Sequence, residues 1–183
     1  MSDMRFVKYL LFAYLVAHSI TVNISYAASM ADIADSKNHE AIQSLIQKGI
    51  IEGYSDGTFR PKNKVNRAEL VKILVSGKGI MPQAEQYRAC FSDVKDQWFA
   101  PFVCYAKEQG WVSGYSDGTF RPSNTVNKVE AIKIIVSVQG YAILVPVSDR
   151  LFGDVETTAW YAPFVQVAHD KGLLEEESGI LGV

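Results

Sequence analysis

The nine-residue stretch GYSDGTFRP occurs twice in this chain of 183 residues, at 53–61 and at 114–122, without a single difference. An internal repeat constrains a fold more strongly than composition does, because each copy must fold alike and pack against its neighbours. The same period is carried by Asp32, Asp93 and Asp154, which follow one another at 61 residues in an apolar, small, Asp, apolar context. The third copy lacks GYSDGTFRP and ends in EEESGILGV. We therefore predict three repeats, of which the third is cut short or degenerate and lacks the loop.

Each repeat reads as a helix, a loop and a second helix. The first helix of repeat 1 is predicted over about 39–48, where apolar residues recur at helical spacing. Proline is tolerated near a helix start, and glycine commonly follows a helix end in a left-handed conformation. These signals recur at Pro101 and Pro163, and at Gly49, Gly110 and Gly172.

The GYSDGTFRP segment predicts a turn between the helices. Glycine accepts a positive φ, and aspartate hydrogen-bonds its own backbone. Asp56 and Asp117 are therefore assigned to the turn, with direct contact to a ligand as the alternative. The three aspartates of the 61-residue period are predicted to cap the first helix of each repeat or its approach.

The second helix begins with a capping box in both complete repeats. Asn66 and Asn127 are the predicted N-caps, with Glu69 and Glu130 three residues on. A unit of about 60 residues is marginal alone, whereas stacked copies share a core. The predicted fold class is therefore mostly α, built of tandem helix-loop-helix repeats of about 61 residues. Residues 140–151 are predicted to be an extended connector that packs.

The first thirty residues differ from the rest. Arg5 and Lys8 precede a short apolar segment, and the small residues Ser25 and Ala27 fit a signal-peptidase site. We predict a signal peptide over 1–27, cleavage after Ala27, and a secreted chain with no stable membrane span after cleavage. An uncleaved anchor over 6–28 is the alternative.

Two cysteines follow from the same export prediction. Cys90 and Cys104 can pair in an oxidising compartment. The alternative is two buried thiols. A zinc site is not expected, because two cysteines lack the further ligands that zinc needs.

Charge and composition exclude several functions. The chain has 18 basic and 20 acidic side chains, so no basic excess points to nucleic acid. Catalysis needs convergent titratable groups, and neither a Ser-His-Asp triad nor a metal constellation is apparent. S-D-G-T supplies one carboxylate per repeat, too few for calcium. We predict a protein that is not an enzyme and uses no cofactor or metal.

These motifs, in this order, resemble the S-layer homology domain. The pattern is an F-x-D-V start, a Trp, a first helix ending in Gly, then G-Y-x-D-G-T-F-x-P and a capped R-A-E helix. Repeat 1 carries it as GIIEGYSDGTFRPKNKVNRAELVKILV, and repeat 2 as FSDVKDQWFAPFVCYAKEQGWVSGYSDGTFRPSNTVNKVEAIKIIV. The predicted boundaries are repeat 1 at 28–88, repeat 2 at 89–149 and a partial repeat 3 at 150–183.

The resemblance implies a pseudo-trimer of repeats that attaches an exported bacterial protein non-covalently to the cell wall. The implied ligand is a secondary cell-wall polysaccharide, often anionic or pyruvylated, or a peptidoglycan-linked polymer, bound in the groove between repeats. Arg67 is the implied ligand contact, because a guanidinium pairs with carboxylate and a helix start favours anions. The candidate ligand-binding residues are Arg67, Lys128, Asp56, Gly57, Asp117, Gly118, Tyr54, Tyr115, Trp98 and Trp111.

The chain departs from the family pattern in places. Lys128 replaces arginine in repeat 2, which keeps the charge but loses the bidentate geometry, so we expect a weaker second site. Lys37 stands where repeat 2 has Trp98. Two alternatives stay open: a protein-interaction module that self-associates in a surface layer, and the anchor part of a longer surface enzyme.

Overall fold

A computed structural model describes residues 30–147, 150–174 and 179–182. A short 3-10 helix, Ala31–Ile33, precedes five α-helices. These are α1 His39–Gln47, α2 Arg67–Gly77, α3 Ala100–Glu108, α4 Lys128–Gln139 and α5 Ala162–Asp170. Within the described ranges there are isolated bridges but no strand, so the mostly α prediction is confirmed. The predicted signal peptide at 1–27 lies outside these residues.

The helix signals read from the sequence are confirmed. Asn66 accepts from the backbone N–H of Glu69, and Asn127 accepts from that of Glu130, with both glutamates returning the contact. Pro101 and Pro163 lie in the first turns of α3 and α5. The glycines after the first helix of each repeat all have left-handed φ, at Gly49, Gly110 and Gly172.

The repeated loop is a tight turn closed by its own side chains. The N–H of Tyr54 donates to the carbonyl of Thr58 at 2.7 Å. Asp56 Oδ1 accepts from the N–H and the hydroxyl of Thr58, at 3.0 and 2.6 Å, and Arg60 pairs with its other oxygen. Repeat 2 reproduces every one of these contacts. The turn-stabilising interpretation of the loop aspartates is therefore confirmed.

The aspartates of the 61-residue period do not cap the first helix as predicted. Asn38 precedes α1, and its side chain makes no capping bond. Asp32 instead accepts from the N–H groups of Phe59 and Arg60, in the loop 27 and 28 residues further along. A carboxylate that satisfies two adjacent amides fixes the loop against the start of its own repeat. Asp93 accepts from Phe120 and Arg121 in the same way.

The described end of the third repeat, 179–182, takes the place that the second half of the loop has in repeats 1 and 2. Asp154 accepts from the N–H groups of Leu181 and Gly182, both at 2.7 Å, and these residues again lie 27 and 28 positions away. The N–H of Gly153 donates to the carbonyl of Gly179, as Ser92 donates to Gly118 in repeat 2. Leu181 and Gly182 keep these positions although their side chains have diverged, because the contacts that hold them use backbone amides.

Among the residues that the structure describes, three apolar clusters form the core. Phe120, fully buried, lies in the largest, which α2, α3 and α4 share. A second cluster surrounds Phe152 between α4 and α5, and a smaller one surrounds Ile42. Each larger cluster crosses a boundary between repeats, so the repeats stabilise one another. Closure of the repeats into a pseudo-trimer stays a prediction, as do the predicted domain boundaries.

The connector after α4 packs less than predicted. Tyr141, Val147 and Leu151 contact the second larger cluster. Leu144 and Val145, by contrast, are 76% and 71% exposed. An apolar run without helical period therefore predicts a connector here, but it does not predict that the side chains of the connector are buried.

The disulfide is present. Cys90 and Cys104 are bonded, which ties the start of repeat 2 to α3. None of the described helices combines the length and the apolar composition needed to cross a bilayer.

Candidate functional site

The start of α2 lies directly on the loop of the next repeat. The N–H of Arg67 donates to the carbonyl of Asn124 at 3.0 Å, and the N–H of Ala68 donates to that of Pro122 at 3.1 Å. The N–H of Glu69 donates a hydrogen bond to the side chain of Asn66. The first-turn amides, which the helix dipole makes favourable for anions, are thus engaged within the protein.

The Arg67 side chain is also engaged. Its residue is 7% exposed, and Nε donates to the carbonyl of Phe120 at 3.0 Å. Nη1 lies 3.6 Å from Glu130 Oε1, and the guanidinium lies over the rings of Phe120 and Tyr115, 4.8 and 5.1 Å from their centres. The side chain joins α2 to the loop and to the start of α4.

Lys128 makes the same contact one repeat later. Its ammonium donates to the carbonyl of Leu181, the residue that corresponds to Phe120. Lys128 is exposed whereas Arg67 is buried. Each complete repeat thus places a cation from its second helix on the loop of the following repeat.

A groove of about 220 Å³ opens where the repeats meet. It is lined by residues 111–115, by residues of α4 and by Arg67. Trp160, from repeat 3, borders it and is 56% exposed. The groove collects aromatic rings, cations and a carboxylate from all three repeats: Trp111, Tyr115, Trp160, Arg67, Lys133 and Glu130.

Lys133 was not among the predicted site residues, whereas for Trp160, the equivalent of Trp98, interface packing and sugar stacking were both open predictions. Lys133 Nζ lies 5.6 Å from the centre of the Trp160 ring and 6.0 Å from that of Phe164. The repeat period could have found the lysine, since Lys72 and Lys133 are 61 positions apart. The contact between Lys133 and Trp160 crosses a repeat boundary, and it was not predictable without the packing of α4 on α5.

The other predicted ligand residues do not gather at this groove. Tyr54 lies in the first loop, 42% exposed, with the Arg60 guanidinium 4.2 Å from its ring centre. Trp98 is 61% exposed and borders a separate cavity of about 250 Å³ beside Arg88. The remaining positions outside the groove lining are Asp56, Gly57, Asp117, Gly118 and Lys128. Their contact with a ligand stays a prediction.

Local hydrogen bonds set the acidity of the loop carboxylates. The hydroxyl of Thr58, and then Arg60, lower the pKa of Asp56 to about 2. Thr119 and Arg121 lower the pKa of Asp117 to about 2 in the same way. Backbone amides of Arg60 and Phe59 lower the pKa of Asp32. These groups stay ionised at neutral pH, and their charge is compensated inside the loop.

The fold and the groove define a class of protein: tandem helix-loop-helix repeats that are joined through their loops and share a groove at the junction. The family model of the S-layer homology domain matches residues 29–71 and 91–132. The chain therefore carries two S-layer homology repeats, and the third repeat lies outside both matches.

Several bacterial surface proteins are similar to this chain. It is 29% identical over 160 residues, 82% of its length, to "Cell surface glycoprotein 1" of Acetivibrio thermocellus. It is 32% identical over 110 residues, 58% of its length, to "Surface layer protein" of Brevibacillus choshinensis. It is 26% identical over 98 residues, 52% of its length, to the "Cellulosome-anchoring protein" of Acetivibrio thermocellus.

The chain spans 7%, 10% and 22% of these three relatives. The family is one of non-catalytic surface-anchoring domains. The chain is accordingly a secreted, cell-surface protein that carries an anchoring module.

Proposed function

We propose that this chain holds its protein at the cell wall by binding an acidic wall polysaccharide, without catalysis, in the groove where the three repeats meet. The observation that carries the proposal is that this groove combines cations with aromatic faces. Lys133 and Arg67 supply positive charge, and Trp111, Tyr115 and Trp160 supply apolar surface.

The chemistry of the groove suits a sugar acid. A sugar ring presents an apolar face that packs on an aromatic side chain, while a carboxylate pairs with a cation. The chain has a formal net charge of −2, so attraction of an anion depends on local cations and not on the overall field. A peptidoglycan-linked polymer with acidic groups would satisfy the same chemistry.

Co-sedimentation with purified wall sacculi tests this function. We expect the chain to bind sacculi that retain their secondary polysaccharide and not sacculi stripped of it. Tyr115→Ala removes an aromatic wall of the groove and should weaken binding, whereas the matched change Tyr54→Ala in the first loop should not. A folded chain, shown so by circular dichroism, that sediments with neither preparation would refute the proposal.

A second candidate function is assembly with other chains in a surface layer. The observation that favours it is the pair Leu144 and Val145, 76% and 71% exposed on the connector. Sedimentation velocity over a range of concentrations would reveal an oligomer. An oligomer that Leu144→Glu dissolves while wall binding persists would assign assembly to the connector and anchoring to the groove.

A further inference from the structure

Both copies of the repeated loop contain an Asp-Gly pair, Asp56–Gly57 and Asp117–Gly118, and the sequence has no other. Both pairs are exposed to water. Aspartate before glycine is especially prone to rearrangement of the backbone, because glycine has no Cβ and its nitrogen can closely approach the carboxyl carbon of the aspartate. The contacts of the loop bear directly on both partners of this reaction.

The rearrangement consumes only water. First, the glycine nitrogen forms a bond to Cγ of the protonated aspartate, and the amide hydrogen and the carboxyl hydroxyl leave together as water. Water then adds to the former main-chain carbonyl of the resulting succinimide and breaks the bond from that carbonyl to the nitrogen. The product is isoaspartate, in which the main chain runs through the side-chain methylene and is longer by a carbon atom.

The attacking nitrogen is engaged in both loops. The N–H of Gly57 donates to the carbonyl of Tyr54 at 2.9 Å, and the N–H of Gly118 donates to that of Tyr115 at 3.0 Å. To reach the carboxyl carbon, the nitrogen must give up this bond, and the turn must open locally. The rate of rearrangement therefore depends on how often the loop opens.

The carboxyl group under attack is held at both of its oxygens. Asp56 Oδ1 accepts from the N–H and the hydroxyl of Thr58, and Oδ2 accepts from the Arg60 guanidinium at 2.5 Å. These donors, the Thr58 hydroxyl first, lower the pKa of Asp56 to about 2, so the protonated form that can lose its hydroxyl is scarce at neutral pH. Asp117 has the same contacts in repeat 2.

From these contacts we propose that the threonine and the arginine of the repeated loop protect its Asp-Gly pair from conversion to isoaspartate. The protecting residues are Thr58 and Arg60 in repeat 1, and Thr119 and Arg121 in repeat 2. They act by keeping the carboxyl group ionised and by restraining its rotation toward the glycine nitrogen. Arg60 Nε also donates to the Thr58 hydroxyl at 3.0 Å, which joins the two protecting side chains.

Conversion would disturb the joint between the loop and the start of its repeat. An added backbone carbon at Asp117 lengthens the path to Phe120 and Arg121, whose N–H groups donate to Asp93. The carboxylate that accepts from Thr119 would also be displaced, because it becomes part of a different branch of the residue. Protection of the Asp-Gly pair therefore preserves the contacts that hold the loop.

The third repeat separates protection from folding. At 178–182 its sequence reads SGILG, where repeat 2 has DGTFR. Leu181 and Gly182 still donate to Asp154, so these positions are held against the repeat start without a loop threonine or arginine. Aspartate, threonine and arginine are absent together, as expected if the threonine and the arginine serve the aspartate.

The loop of repeat 2 is held by further contacts from the preceding repeat. Arg67 Nε donates to the carbonyl of Phe120, and the N–H of Ala68 donates to that of Pro122. Within the described part of the chain, the two corresponding carbonyls of the first loop accept no hydrogen bond. The first loop should therefore open more often, and its Asp-Gly pair should convert faster although the nine residues are identical.

The test is the isoaspartate content of the purified full chain during prolonged incubation at neutral pH. Trypsin places the two pairs in peptides 49–62 and 108–128, which differ in mass. Enzymatic methylation and mass spectrometry then quantify isoaspartate in each peptide. In urea, which unfolds both loops, we expect equal and fast conversion. In the folded chain we expect slower conversion of both pairs, with the pair of repeat 1 ahead of the pair of repeat 2.

Each loop is the internal control for a variant in the other. Arg60→Ala should raise the rate at Asp56 about three- to tenfold, the factor for a hydrogen bond lost at an exposed site, and leave Asp117 unchanged. Thr58→Ala should do the same. Arg60→Lys and Thr58→Ser return the cation and the hydroxyl and should restore most of the protection. Arg67→Ala should raise the rate at Asp117 alone.

Three results would overturn this inference. The first is a folded chain that converts both pairs as fast as it does in urea. The second is an unchanged rate at Asp56 in Arg60→Ala and in Thr58→Ala. The third is an equal acceleration at Asp56 and Asp117 in these variants, because the side chains would then act through the stability of the whole fold. Binding to the cell wall does not enter any of these measurements.

Discussion

Arg67 Nε and the carbonyl oxygen of Phe120 are 3.0 Å apart, so a side chain at the start of one repeat's second helix fixes the loop of the next repeat. Lys128 and Leu181 repeat this relationship across the following boundary. The arginine that family resemblance assigns to the ligand is therefore part of the joint between repeats. Replacing Arg67 should therefore lower the free energy of unfolding as well as weaken ligand binding.

Arg67→Ala should lower the free energy of unfolding by about 2–3 kcal/mol, because a charge-assisted hydrogen bond is lost and the Phe120 carbonyl and Glu130 lose their partner. Urea denaturation followed by circular dichroism measures the change. Lys128→Ala is the matched variant and should cost less, since Lys128 is exposed. Equal losses would show that burial of Arg67 adds nothing to the joint.

Asp93→Ala should destabilise repeat 2 by about 1–3 kcal/mol, since the N–H groups of Phe120 and Arg121 lose a charged acceptor. Amide hydrogen exchange at these two residues should accelerate together. Asp96→Ala, an exposed carboxylate three residues on, is the control and should leave both amides protected. Unchanged exchange in Asp93→Ala would refute the assigned role.

Two glycines of the repeat 2 loop should respond differently to alanine. Gly118 has a φ of 78°, and a Cβ added there would meet open space, so Gly118→Ala carries only the left-handed backbone penalty of about 1–2 kcal/mol. Gly114 has a φ of 69°, and a Cβ there would lie 2.4 Å from the Phe91 ring and 2.7 Å from the Thr119 carbonyl. Gly114→Ala should therefore cost more in thermal unfolding. A smaller loss at Gly114 would mean that Phe91 can move aside.

Acid should weaken the two loops in a defined window. The pKa of Asp117 is about 2 in the folded chain against an ordinary value of 3.8. A lowered folded pKa gives stability that is complete above the ordinary value and is lost as the pH falls through the folded one. Stability should thus decline between about pH 4 and pH 2. Asp117→Asn should flatten part of that decline in thermal melts, and an unchanged pH profile would contradict the assignment.

Removing the Cys90–Cys104 bond should destabilise the chain by about 3 kcal/mol, the chain-entropy value for a loop of this length. The double change Cys90→Ser and Cys104→Ser, compared with the unchanged chain under reducing conditions, measures it. Both should lose the same amount. A loss in the variant alone would point to poor packing of serine and not to the bond.

Most of the fold could be predicted from patterns among residues that are close in sequence. Capping at Asn66 and Asn127 was predictable because it depends on residues three apart, and the turn at Asp56 was predictable for the same reason. The role of Asp32 was not, because its partners lie 27 and 28 residues away and are backbone amides, which leave no trace in residue type. The contact of Lys133 with Trp160 was missed for a related reason, since it depends on how α4 meets α5.

Asp154 accepts hydrogen bonds from the N–H groups of Leu181 and Gly182, as Asp93 accepts them from those of Phe120 and Arg121. Because each aspartate binds backbone amides, the residue types at these loop positions can change while the repeat keeps its fold. Repeat counts based on the residues of the loop will then undercount. A search for an F-x-D-type aspartate that is followed 27 residues later by a buried apolar residue would find such units more reliably in divergent surface proteins.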